Sequence, residues 1–116
     1  MTEDSTAFET AGPVVETLAA MTAASLENCE LDPQTLVLVR IAALAAVGAP
    51  PASYLLNLGA GVEVGLSLEE VESVLVAVAP IIGAPKVIAA SDAMHDALGF
   101  AVAVAEADLL EIDIEQ

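Results

Sequence analysis

The sequence predicts an all-α fold, a compact bundle of about five to six helices that assembles as an oligomer. Helix start and stop signals recur along its 116 residues, and between them apolar side chains return at spacings of three and four. Hydrophobic residues make up 57% of the chain but aromatics only 3%, with no Trp. Ala, Val, Leu and Ile must therefore supply the core, and such a core packs by close approach of helices. A chain of this length buries only about two thirds of the surface its unfolded form exposes, so so high an apolar share leaves faces that a monomer cannot cover.

Each element has its own signal. Residues 1–11 are polar and aperiodic and are expected as a flexible lead-in to a single domain over residues 12–108. Pro13 suits a first helical turn, and Val14, Leu18, Met21 and Leu26 follow at helical spacing to about Asn28. Asp32-Pro33 is an N-cap followed by proline at the first helical position, and it starts a second helix that Gly48-Ala49-Pro50-Pro51 closes. A third, from about Ala52, carries Tyr54, Leu55, Leu58 and Val62. Its Gly59 and Gly61 allow another backbone to come close.

Ser67-Leu68-Glu69-Glu70 reads as a capping box, and Leu68, Val71, Leu75, Val78 and Ile82 mark the apolar face of the fourth helix. Pro80 falls inside that pattern and is expected to kink it. Gly83-Ala84-Pro85 begins a fifth helix through Ile88, Met94, Leu98, Phe100 and Val104. In the acidic tail, residues 109–116, Leu110, Ile112 and Ile114 alternate with a period of two. That pattern suits an extended arm on a neighbouring subunit as well as it suits a frayed end.

Charge narrows the partners. Eighteen acids against two bases, Arg40 and Lys86, give a formal net charge of −16. Phosphate backbones and anionic lipid heads repel such a chain, so neither nucleic acid nor a membrane is an expected partner. The N-terminus is acidic and no apolar core follows it, unlike a secretory signal. The uncharged apolar stretches near residues 41–52 and 74–85 fall short of the roughly 20 residues of a spanning helix, and the expected location is cytoplasmic. The single Cys29 rules out an intrachain disulfide, a C-x-x-C redox pair and a multi-cysteine metal site. No cofactor is expected.

The run Leu31-Asp32-Pro33-Gln34-Thr35-Leu36-Val37-Leu38-Val39-Arg40-Ile41, continuing to Gly48-Ala49-Pro50, resembles the opening of carboxymuconolactone decarboxylase family domains. Gly65-Leu66-Ser67-Leu68-Glu69-Glu70-Val71, then Leu75, Ala79-Pro80 and Gly83-Ala84-Pro85, resemble the family's next helix and its glycine-proline turn. The likeness covers about residues 31 to 91 and rests on helix spacing and punctuation. It implies an all-helical fold and assembly as a homotrimer or homohexamer.

Members similar to the alkylhydroperoxidase branch carry a Glu, eleven residues, a Cys, two residues, a second Cys, three residues and a His. Their thiolate is the nucleophile, while Glu and His manage its proton. Counted from Gly65, those positions fall here on Leu38, Pro50, Ser53 and Asn57. Proline carries no nucleophile and leucine no acid, so peroxidase chemistry by that mechanism is excluded. Members resembling the true decarboxylases also tend to keep the His, which Asn57 replaces.

A pocket at the family's location would place Arg40, Ser53, Tyr54 and Asn57 near it. Arg40 is the only charge between Pro33 and Val62, and it calls for an anionic partner, either a ligand carboxylate or one of the chain's own acids. Ser53 is a nucleophile only with a base beside it, and otherwise simply opens the third helix. Tyr54 and Asn57 lie three apart, fit to orient a small polar ligand or to form an interface hydrogen-bond pair. His95 is the one residue of a type that changes charge near neutral pH; Asp92, three residues before it, can orient its ring, and both also fit a solvated helix face. No metal site is expected, since a lone His with carboxylates suits no tight transition-metal arrangement.

Two functions remain open. One is a non-catalytic, oligomeric or ligand-binding member with a degenerate active site; the other is an enzyme with an altered site acting on a small carboxylated or cyclic metabolite.

Overall fold

In a computed structural model, the structure describes the backbone of residues 3–115 and the side chains of residues 12–103 and 106–108. The elements run α1 (Glu3–Asn28), α2 (Pro33–Val47), α3 (Pro51–Glu63), α4 (Leu68–Ile82) and α5 (Ala84–Glu115), all helical. They divide into two compact units at Leu31–Asp32, inside the span read as one domain.

The first unit is α1. It begins at Glu3, upstream of the Pro13 start signal, so the helix takes in most of the expected lead-in; Met1 and Thr2 lie outside the described residues. Pro13 deprives the helix of one donor, and the Thr17 hydroxyl donates to the Pro13 carbonyl at 2.7 Å. At the other end the Asn28 amide returns to the carbonyl of Ala24.

The second unit holds α2 to α5. The Asp32 carboxylate caps α2 by accepting from the backbone N–H and the hydroxyl of Thr35. Those bonds, the hydroxyl's first, hold its pKa below the usual aspartate value. Two glycines end helices in the left-handed region. Gly48 (φ 70°) closes α2, its N–H reaching Ala45 while that of Ala49 reaches Leu44. Gly65 (φ 84°) follows α3, with the N–H of Leu66 on the Gly61 carbonyl at 2.9 Å. The Gln34 amide then donates to Val64, pinning the start of α2 to the end of α3.

The capping box of α4 is complete: the Ser67 hydroxyl accepts from the Glu70 N–H, and the Glu70 carboxylate accepts from the Ser67 N–H. Pro80 stands in the last turn, where its missing donor concerns only the carbonyl of Val76. Gly83 (φ 87°, ψ 160°) makes the reversal, donating to Ala79 at the end of α4 and accepting from Val87 at the start of α5.

Helices α2 and α5 each pack against the other three. The buried residues follow helical spacing: Val37, Ile41 and Ala45 on α2; Tyr54, Leu58 and Gly61 on α3; Val71 and Leu75 on α4; Ala90, Ala93, Met94 and Ala97 on α5. Of the apolar residues that mark α5 in the sequence, Met94 is buried and Leu98 packs against the core, whereas Ile88 and Phe100 are exposed. Alanines fill the rest of that side, because a helix drawn close to its neighbours leaves room mostly for small side chains. Gly61 sits in contact range of Val37 and Leu66, as expected of a close approach, but Gly59 faces open space.

Beyond Leu98 the described side chains of α5 are all exposed. Its backbone stays helical to Glu115, which overturns the extended reading of 110–115: a period of two becomes a strand only beside another strand edge, and none occurs among the described residues. The side chains of Val104 and of 109–116 lie outside the described residues. By length and composition the stretch Ala84–Asp108 is apolar enough to cross a membrane, although it is not an uncharged run. Asp92 and Asp96 stand within it, however, and it supplies Ala90, Ala93 and Ala97 to the core. Intramembrane acids are costly and rare.

Tyr54 is fully buried, its pKa raised by desolvation, and its hydroxyl has no hydrogen-bond partner. An unpaired buried hydroxyl destabilises by about 1–3 kcal/mol. The variant Tyr54→Phe is therefore expected to keep the fold and match or exceed the parent's stability in urea unfolding. At Gly83, any side chain meets backbone strain, so Gly83→Ala is expected to lower stability by about 1–3 kcal/mol in the same measurement.

Candidate functional site

The four residues expected near the family's pocket do not form one constellation. Tyr54 and Asn57, three apart on α3, are not bonded to each other. The Asn57 amide donates to the Ser53 carbonyl one turn back at 2.9 Å, and the Tyr54 hydroxyl is sealed in the apolar core. Helical geometry explains the first: an amide side chain reaches its own i−4 carbonyl more readily than a phenol pointing inward. Ser53 is half-buried, with that carbonyl thus engaged. Arg40, half-buried on α2, already has an interaction partner in the structure.

Polar groups converge elsewhere. Between α4 and α5 lies a cavity of about 500 Å³, a size suited to a small molecule. Leu68, Leu75, Val76 and Ala79 line it from α4, and Val87, Met94 and Leu98 from α5, leaving three polar side chains among apolar walls: Glu72, Ser91 and His95. None of Arg40, Ser53, Tyr54 and Asn57 lines it. A second cavity of about 310 Å³, between α3 and α5, is lined by Pro51, Ala52, Leu55, Asp96, Ala97 and Phe100.

The turn at Gly83 explains why these groups meet. It folds α5 back along α4, so residues on the facing stripes, Glu72 and Val76 on one and Ser91 and His95 on the other, come to border a single space. Spacing of four sets Ser91 and His95 on one stripe of α5. Their bond is explicit: His95 Nδ1 lies 2.7 Å from the Ser91 carbonyl, with the Ser91 hydroxyl at 3.5 Å.

A carbonyl can only accept, so Nδ1 carries the proton in that bond. The neutral ring accordingly presents Nε2 as an acceptor. The ring is thus oriented by Ser91, not by Asp92 as the spacing alone suggests; Asp92 is exposed and does not line the cavity. No group of three or more His, Cys, Asp or Glu side chains fit to hold a metal occurs among the described residues.

His95 is exposed, as the solvated-face reading expects, and Glu72, also exposed, was not singled out from the sequence. The Ser91–His95 spacing was a usable signal. Nothing in the order of residues brings Glu72 to them, because α4 and α5 join through a turn whose angle depends on the conformation of Gly83.

No curated protein and no solved structure matches this chain. The carboxymuconolactone decarboxylase family model does, over residues 13–96. That match spans most of the chain, including the capped start of α2, the capping box of α4 and the α4–α5 cavity through His95, and on it the chain belongs to the carboxymuconolactone decarboxylase family.

Proposed function

We propose that this chain is a non-catalytic, ligand-binding member of its family that works as a homo-oligomer, a trimer or hexamer, and holds a small molecule in the α4–α5 cavity. The observation that carries the assembly is the exposure of large apolar side chains on several helices. Leu56 and Val62 on α3, Ile81 on α4, and Val47 on α2, none of which lines the cavity, are each more than 70% exposed. One two-fold patch does not cover side chains spread over so many helices, whereas a closed ring offers each copy two different interfaces. A net charge of −16 opposes self-association, so the apolar contacts must outweigh it.

The loss of the dithiol supports the non-catalytic part. One cysteine in the whole chain, Cys29, cannot form a reducible pair, and Asn57 cannot relay a proton. The enzyme reading, acting on a small carboxylated or cyclic metabolite, has one observation on its side: the neutral His95 ring, held at Nδ1, offers Nε2 as a base. The Ser91 hydroxyl lies 3.5 Å from His95 Nδ1, but that nitrogen donates to the Ser91 carbonyl and so does not take the hydroxyl's proton. Location in the cytoplasm, with no membrane or nucleic-acid partner, accords with the acidic charge.

Sedimentation equilibrium at micromolar concentration tests the assembly, with an expected mass three or six times that of the chain. Replacing one exposed apolar residue by a charge, as in Leu56→Glu or Ile81→Glu, is expected to weaken association by about tenfold or more if that residue is in an interface, since the new charge would be buried unpaired. A monomer throughout that range would overturn the oligomeric reading.

A further inference from the structure

The ligand class follows from the three polar groups of the α4–α5 cavity, and rests on the reading of that cavity as a binding site. We propose that it takes a small hydrophobic ammonium compound, an apolar body carrying one protonated amine.

The walls supply the apolar part: Leu68, Leu75, Val76, Ala79, Val87, Met94 and Leu98 suit a hydrocarbon or ring. Glu72 is the one acid among the lining residues, and a carboxylate beside apolar walls favours a cation. The neutral His95 ring turns an acceptor, Nε2, outward from its Ser91 bond, and the Ser91 hydroxyl is a further acceptor. An ammonium group has three donors and no acceptor, which matches carboxylate, imidazole nitrogen and hydroxyl together. A carboxylated ligand meets the opposite situation, facing Glu72 in a chain whose overall charge already repels anions.

Calorimetric titration of the full chain with 2-phenylethylammonium chloride tests this, against 2-phenylethanol and 3-phenylpropanoate as neutral and anionic counterparts of similar shape. At about pH 8 the ammonium compound is expected to bind at least about tenfold more tightly than either. Glu72→Gln is expected to erase that preference. Equal or tighter binding of the alcohol or the carboxylate overturns the ligand class alone, as does a preference that survives Glu72→Gln, which would belong to the overall charge. If none of the three binds, the cavity is not a ligand site and the underlying reading fails with the proposal. Dissociation of the oligomer by Val76→Ser would show a second copy seated in the groove, which also overturns it.

Discussion

Close packing of α2 and α5 is the constraint on which the rest of the four-helix unit depends. Each of these two helices touches the other three, and the α5 side of the core is built from Ala90, Ala93 and Ala97 with only Met94 larger. Alanine side chains bring backbones within reach of one another, and dispersion between them rises steeply as gaps close. The two largest fully buried side chains, Ile41 and Tyr54, come from the partner helices and fill what the alanines leave. Tyr54 does so at the expense of a hydroxyl without a partner, so its ring is retained for volume while its polar atom adds nothing to stability.

The same economy of volume explains the surface. A core that admits small residues from α5 sends Ile88 and Phe100 outward, and α3 and α4 likewise keep Leu56, Val62, Val76 and Ile81 outside. Apolar surface of that extent is a driving force for association, and it is the observation behind the oligomer proposed above. Acidic residues on the remaining exposed positions keep such a chain from unspecific aggregation.

Membership of the carboxymuconolactone decarboxylase family and the state of the site point in different directions. The scaffold's punctuation is intact, from the Asp32 cap to the Ser67–Glu70 box and the Gly83 reversal. The resemblance puts the thiol and histidine positions of the alkylhydroperoxidase branch on Pro50, Ser53 and Asn57, and Asn57 is bonded within its own helix. Polar side chains gather instead across α4 and α5, where Glu72, Ser91 and His95 border one cavity. Scaffold and chemistry are separable, since helix caps and packing stripes hold a fold irrespective of what lines its cavities.

By itself the sequence determined the helical class, the order of the five helices and most of their boundaries, because caps, proline and left-handed glycine act through neighbouring backbone atoms. It also determined the absence of dithiol chemistry, which requires two cysteines. It did not show which side of α5 faces inward and it misjudged the end of that helix, since burial depends on how near other helices come and an alternating pattern needs a strand to pair with. The site was only partly legible: His95 stood out as the lone histidine with Ser91 one turn before it, but the isolation of the Tyr54 hydroxyl and the placing of Glu72 and His95 on one cavity were decided by tertiary structure. Each of those depends on distances between atoms whose positions follow from the packing of α4 and α5, and residue order does not encode them locally.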